Sequence, residues 1–261
     1  MLSGTQIERF VSDGFVRVDE AFPRDLADRC RDLLWTKVGC VRDDPSTWTK
    51  PVVWLTNCDE RPFVQAANTT RLHRAMDQLV GPGRWIPRSS LGAFPVRFPA
   101  SEDTGDTGWH VDVSFPGAGS DPNDYQTWHV NVRSRGRALL MLFLFSDVGE
   151  HDAPTRIRVG SHRIVARLLE PVGEPGLRGP RIDLAPTAGC AEALATGPAG
   201  TVYLCHPFLV HAAQINRGSQ PRFLAQPCLF WRGGPDASAP ADGCRAPVEE
   251  AIQSGLTANP R

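Results

Sequence analysis

Apolar positions in the first third of the chain fall at helical spacing. From about residue 85 they fall instead into short segments cut by Gly, Pro, Asp and Asn. Residues 5–12 read as a short helix, and Phe15-Val16-Arg17-Val18 alternates as a strand does. Pro23 suits the first turn of a helix running to about residue 37, with Leu26, Cys30, Leu33 and Leu34 on one stripe. A second helix is predicted near 69–80, closed by Gly81-Pro82-Gly83. The later apolar segments lie at 91–98, 109–115, 127–133, 138–146, 156–159, 200–205, 209–215 and 222–231, a spacing that suits a β-sandwich or barrel. Residues 138–146 do not alternate and are predicted to form a strand buried on both faces. Residues 161–169 are expected to form a short capped helix, and 171–199, rich in Pro and Gly, a long surface excursion flanking a site. Residues 233–245 read as loop and 247–254 as a last short helix. The expectation is one domain over 1–261: a helical N-terminal part to about 84, a β core over about 85–232 and a tail over 233–261.

Composition narrows the class. Hydrophobic residues make up 41% of the 261, enough for a full core, and the formal net charge of −1 gives no field to draw in nucleic acid or a membrane surface. Seven cysteines, an odd number with no C-x-x-C pair, point to reduced thiols rather than to a disulfide framework or a Cys-type zinc site. The first eight residues lack the basic and apolar regions of a signal peptide, and the longest apolar run, Ala138 to Phe145, is far short of the ~20 residues of a membrane helix. A cytoplasmic protein is expected.

Candidate chemistry begins at Trp109-His110-Val111-Asp112. Side chains two apart on a strand share a face, so His110 and Asp112 stand side by side, suited to grip one metal ion. A hydrogen-bonded His–Asp pair on a surface strand would look the same. His211, in the apolar stretch Leu209-Val210-His211-Ala212-Ala213, needs a partner if buried and is the candidate third ligand. His206, beside Pro207, and His129 are rivals for that place. Two histidines and one carboxylate form the facial triad of mononuclear non-haem Fe(II) sites. Arg222 follows His211 by eleven residues, across a turn at Asn216-Arg217-Gly218-Ser219. A returning strand would bring its guanidinium fork beside the metal, where it matches a carboxylate such as that of 2-oxoglutarate.

Four ordered segments resemble the phytanoyl-CoA dioxygenase family of Fe(II)/2-oxoglutarate-dependent oxygenases, and the resemblance spans most of the chain. They are Phe10-Val11-Ser12-Asp13-Gly14-Phe15-Val16, the His110-Val111-Asp112 triplet, the segment Asp152 to Arg163 ending in Gly160-Ser161-His162-Arg163, and Gly200-Thr201-Val202 through His211, Asn216 and Arg222. The resemblance implies a mainly β fold with flanking helices, a double-stranded β-helix (the jelly-roll of cupin-like proteins). It implies His110, Asp112 and His211 as iron ligands and Arg222 as the partner of the distal carboxylate of 2-oxoglutarate. It also implies Trp128 as a tryptophan near the cosubstrate, with Thr155 and Arg97 as further contacts of that pocket. Three departures stand out: Ala213 where the family often has Ser or Thr, Asp152-Ala153 for Asn-Gly, and Val159 for Pro. The hydrogen bond lost at Ala213 has to come from elsewhere or be absent.

The activity so implied uses 2-oxoglutarate and O2 to hydroxylate an unactivated C–H bond of a small, largely apolar metabolite, such as a natural-product intermediate, with succinate and CO2 as coproducts. Asp112 favours hydroxylation over halogenation, because related halogenases free a chloride site with a small residue at the carboxylate position. Desaturation or ring closure begins with the same hydrogen abstraction. Trp54, Phe94, Phe115, Trp128 and Trp231 are candidates for an apolar substrate wall, and each would serve equally as core packing. No basic cluster suits the phosphates of coenzyme A. The competing classes are a non-catalytic β-helix binding module and a zinc hydrolase with Glu150 or His129 as base.

Overall fold

The apolar run near residue 140 becomes the central strand of the largest sheet. The structure is a computed structural model and describes all residues except 57, 234–236, 238–244 and 258–261. Its α-helices are α1 (Gly4–Asp13), α2 (Arg24–Trp35), α3 (Arg61–Ala67), α4 (Thr70–Val80), α5 (Ser161–Leu169) and α6 (Pro247–Thr257). Its strands are β1 (Phe15–Val18), β2 (Val52–Leu55), β3 (Phe94–Arg97), β4 (Phe115–Pro116), β5 (Trp128–Val130), β6 (Leu139–Leu144), β7 (Arg156–Arg158), β8 (Leu177–Arg178), β9 (Glu192–Leu194), β10 (Val202–Cys205), β11 (His211–Ala212), β12 (Leu224–Ala225) and β13 (Cys228–Leu229).

The main sheet runs β1-β10-β6-β12, with β13 also on β6, all antiparallel. Every residue of β6 is buried. Successive side chains point to opposite faces. Leu139, Met141 and Phe143 therefore pack with helix residues such as Leu34, Phe63 and Leu79, while Leu140, Leu142 and Leu144 pack with Ile157, Leu209 and Leu224. A strand covered on both sides has no polar face to mark, hence the missing alternation. The second sheet is β11-β7-β9, a third is β4-β5-β8, and β2 pairs with β3.

Several expectations need correction. The predicted strand 222–231 is two short strands, because Pro227 offers no ladder donor between β12 and β13. The excursion at 171–199 is not merely loop: it supplies β8 and β9, which edge the β5 and β7 strands. Strands of two or three residues are too short for periodicity to register. The apolar pattern does not mark β2 or α3 either; β2 is half-buried along most of its length and so shows no alternation. α5 begins after Gly160 (φ 76°) with no side-chain cap, because glycine at the N-cap has no side chain to offer; the Ser161 hydroxyl, one position later, accepts from the Val210 N–H at 2.9 Å. The reading of 233–245 as loop falls mostly on residues outside those described.

The N-terminal helix follows its local signals. Ser3 and Gln6 form a reciprocal capping box, and Gly14 (φ 88°) ends α1 with its N–H on Phe10 O. A Cβ at Gly14 would lie 2.4 Å from His162 Nδ1, so the close approach as well as the dihedral requires glycine. Among the described residues no helix is long and apolar enough to cross a membrane.

Candidate metal centre

His110 and His211 form an antiparallel bridge, each backbone N–H donating to the other's carbonyl at 3.0 Å. Residues so paired project to the same face, and the two imidazoles stand with ring centroids 4.4 Å apart. Asp112, two residues beyond His110, places Oδ1 3.8 Å from Nε2 of both. One ligand atom from each of the three lies within 4.8 Å of the others, a grouping able to close on one ion.

The tautomers are set by the backbone. Nδ1 of His110 is 2.9 Å from Gly108 O, and Nδ1 of His211 is 3.0 Å from Leu209 O. A carbonyl only accepts, so each Nδ1 carries the proton and each Nε2 turns a lone pair to the shared centre. Burial, with the charge of His110, pushes His211 down to about 4, so it is neutral at physiological pH. Asp112 is held from behind: Arg137 donates from Nη1 to Oδ2 at 2.5 Å and from Nη2 to Val113 O at 2.9 Å. Burial alone would raise the Asp112 carboxyl, but Arg137 and the two imidazoles outweigh it and lower it to about 2. The centre thus offers two imidazole Nε2 atoms and one ionised oxygen, the donor set of a divalent first-row metal. Sequence reasoning missed Arg137. It lies in a turn just before β6 and carries no motif, and only tertiary packing brings it to Asp112.

Arg222 bridges Arg97 through both backbone groups, at 2.8 and 3.1 Å. It is 1% exposed, donates to Ala153 O at 2.5 Å and Pro95 O at 3.1 Å, and leaves Nε without a partner. Among the described residues no carboxylate pairs with it. Burial, reinforced by the charge of Arg97, lowers it to about 9. A buried cation in that state is suited to an incoming anion. Arg97 is itself bonded to Asp106 and also has an unpartnered Nε. The register of β11 on β7 pairs His211 with Ile157 and Ala212 with Arg156, so one step further Ala213 faces Thr155. The Thr155 hydroxyl is buried and unpartnered. A free hydroxyl therefore sits across the ladder from the position where the resemblance lacks one.

The remaining candidates separate. Trp54 lines a cleft that opens on His110 and Asp112. Phe94, Phe115 and Trp231 do not: all are buried. Phe94 packs edge-on to Phe63, Arg135 covers Phe115, and the Trp231 indole N–H donates to Ser134 O. All three are buried and lie outside that cleft's lining. Trp128 stacks on Tyr125 and donates to Pro122 O. Neither rival histidine joins the triad. His206 is wholly buried against Val248 O, and His129 turns Nδ1 to Pro175 O.

No family model and no curated protein sequence matches the chain. Solved structures do match. EctD from S. alaskensis, with 2-oxoglutarate and 5-hydroxyectoine bound, is 20% identical over 95% of this chain and 86% of that one, with a TM-score of 0.59. SnoK, a non-haem α-ketoglutarate-dependent carbocyclase of nogalamycin biosynthesis, is 16% identical over 92% and 94%, with a TM-score of 0.58. The fold is the double-stranded β-helix of such enzymes. SnoN, an epimerase solved with Fe3+, α-ketoglutarate and nogalamycin RO, matches this β-helix at 15% identity over 93% and 91%, with a TM-score of 0.56. The fold thus agrees with the resemblance carried by the sequence motifs.

Proposed function

We propose that this chain is a single-domain Fe(II)/2-oxoglutarate-dependent dioxygenase that hydroxylates an unactivated C–H bond of a small, largely apolar metabolite, releasing succinate and CO2. The observation that carries the reading is Arg222: a fully buried guanidinium without a carboxylate partner among the described residues, in a fold that gathers two imidazoles and a carboxylate. In this reading His110, Asp112 and His211 hold Fe(II), and Arg137 positions Asp112 by occupying Oδ2 and leaving Oδ1 for the metal. Arg222 receives the distal carboxylate of 2-oxoglutarate, with Nε and its carbonyl-bound nitrogens available for exchange. Thr155 supplies the hydroxyl that Ala213 lacks, and Arg97, tied to Asp106, backs the same pocket. When bound, Fe(II) with 2-oxoglutarate and O2 supplies the oxidant, while the chain orients the substrate and shields the reacting carbon. The six described cysteines are free thiols, which supports a reducing, cytoplasmic setting.

The test separates metal from cosubstrate. With Mn(II) in place of iron, wild type is expected to bind 2-oxoglutarate. Arg222→Gln should weaken that binding by about a hundredfold, the scale of a lost charge-assisted bidentate contact, with Mn(II) affinity retained. Equal 2-oxoglutarate affinity in the two proteins removes the proposed function.

A further inference from the structure

The cleft above the metal centre selects among substrates, and the substrate class inferred from it rests on the function proposed for that centre. The cleft has a volume of about 620 Å³, within the range of pockets that bury a drug-sized molecule. Six large apolar side chains are exposed among the described residues; two are aromatic, Trp54 at 56% and Tyr125 at 64%, and both line this cleft. Aromatic surface left open beside a reactive centre is surface a ligand can cover. The two rings come from separate elements, Trp54 from β2 and Tyr125 from the 3-10 turn Tyr125–Thr127.

The aromatic wall is braced. Tyr125 stacks on Trp128 with centroids 4.3 Å apart and planes 28° apart, and the Trp128 indole is fixed by Pro122 O at 3.2 Å. Trp109, also in the lining, carries the guanidinium groups of Arg156 and Arg158 over its ring at 4.7 and 4.3 Å. Ile182 and Leu184 extend the apolar surface. The charge balance points the same way. Among the described residues Arg137 is the one Lys or Arg side chain of the lining, and its terminal nitrogens are spent on Asp112 and Val113 O. Arg156 and Arg158 are not lining residues; they lie against Trp109 and donate to Thr107 O, Ala213 O, Leu184 O and Thr187 Oγ1, so an anionic substrate would meet no lining guanidinium that is not already paired.

We propose that the substrate is an uncharged, flat molecule built of fused or linked rings, which lies against Trp54 and Tyr125 while a ring C–H or a substituent faces the metal. An acyl-coenzyme A thioester, with its phosphates and flexible chain, is thereby excluded.

The experiment is calorimetric titration of the Mn(II)- and 2-oxoglutarate-loaded protein with three neutral ring compounds (a flavanone, an anthraquinone and testosterone). Dodecanol, dodecanoate and dodecanoyl-coenzyme A serve as chain and charge controls. At least one ring compound is expected to bind at least about tenfold more tightly than every chain compound. Trp54→Ala and Tyr125→Ala should each weaken that binding by about tenfold, the worth of an aromatic contact, and Trp54→Phe should keep most of it. The inference is overturned if any chain compound matches the best ring compound, if both alanine variants bind like wild type, or if no ring compound binds below about 1 mM. Binding of 2-oxoglutarate in the same samples keeps the two ideas apart: ring binding lost with 2-oxoglutarate retained sinks the substrate class alone, and 2-oxoglutarate binding absent sinks the function.

Discussion

Two pairs of histidines lie close together in this molecule, and only one is built to bind metal. His110 and His211 have centroids 4.4 Å apart; His162 and His206 have centroids 5.0 Å apart. In the first pair each Nδ1 is bound to a nearby carbonyl, which leaves both Nε2 atoms free beside a carboxylate. In the second pair Nε2 is the bound atom: His162 meets Val11 O and His206 meets Val248 O, both at 3.1 Å. The Nδ1 of His206 accepts from the Phe208 N–H. No carboxylate ion-pairs with either ring among the described residues. Proximity of imidazoles therefore says little; which nitrogen the backbone claims decides between ligand and structural pin. The second pair pins α1, α5 and α6 to the segment leading into β11.

The largest effects should come from exchanging damage between the pairs. Asp112→Ala or His211→Ala should cut Mn(II) affinity by more than the roughly 10–100-fold that outer hydrogen-bond partners command, with a native-like circular dichroism spectrum. His206→Ala should do the opposite. It leaves the Phe208 N–H unsatisfied and removes the bond to the Val248 carbonyl around a cavity, at a cost of about 2–4 kcal/mol in denaturant unfolding, with metal affinity kept within a few-fold. Metal titration and unfolding of the three variants would test the distinction, and a His206 variant that folds normally but loses metal would erase it.

Acid should expose the structural pair next. Burial lowers His162 to about 3, and burial together with His162 drives His206 well below its usual range. A histidine depressed on folding stabilises the protein above its unfolded pKa, near 6.5, and that stability is lost as pH falls toward the folded value. The reason is that the unfolded chain takes up the proton the folded one refuses. Between pH 7 and pH 5 His162 should cost about 2 kcal/mol. His162→Gln, which keeps an N–H for Val11 O, should shrink the fall in unfolding free energy over that interval by about the same amount. Parallel curves for the two proteins would show that His162 does not titrate between the two states.

How much of the molecule is legible in the chain depends on the range of the cause. α1, α2, α4 and α6 follow from spacing and caps that act within a few residues. β6 follows from an apolar run whose length alone separates strand from helix. The convergence of His110 with Asp112 is likewise local, since a spacing of two holds even where the extended backbone is a single bridge rather than a regular strand. Arg137 and the burial of Phe94, Phe115 and Trp231 are another matter. Whether an aromatic faces a cleft or the core is decided by elements far away in sequence, and Trp54 is distinguished from Trp231 only by what packs over it. The grip of Arg137 on Asp112 joins two loops 25 residues apart. The hydroxyl opposite Ala213 required the register of β11 on β7, which no spacing within either strand reveals.

The smallest effect tests the seam between the two histidine pairs. Ser161 stands next to His162, yet its hydroxyl accepts from the N–H of Val210, the residue before His211. Ser161 and Val210 are both fully buried. Removing the hydroxyl strands a buried amide donor, worth about 1–3 kcal/mol, while alanine recovers a few tenths of a kcal/mol as the better helix former. Ser161→Ala should therefore lower unfolding free energy by about 1–2 kcal/mol. Because the freed amide borders a metal ligand, Mn(II) affinity should also drop, but by less than tenfold, since the bridge to His110 still holds the His211 backbone. Unchanged stability would mean that Val210 finds another acceptor. A metal-affinity loss as large as that of His211→Ala would mean that the seam, and not the bridge, sets the place of His211.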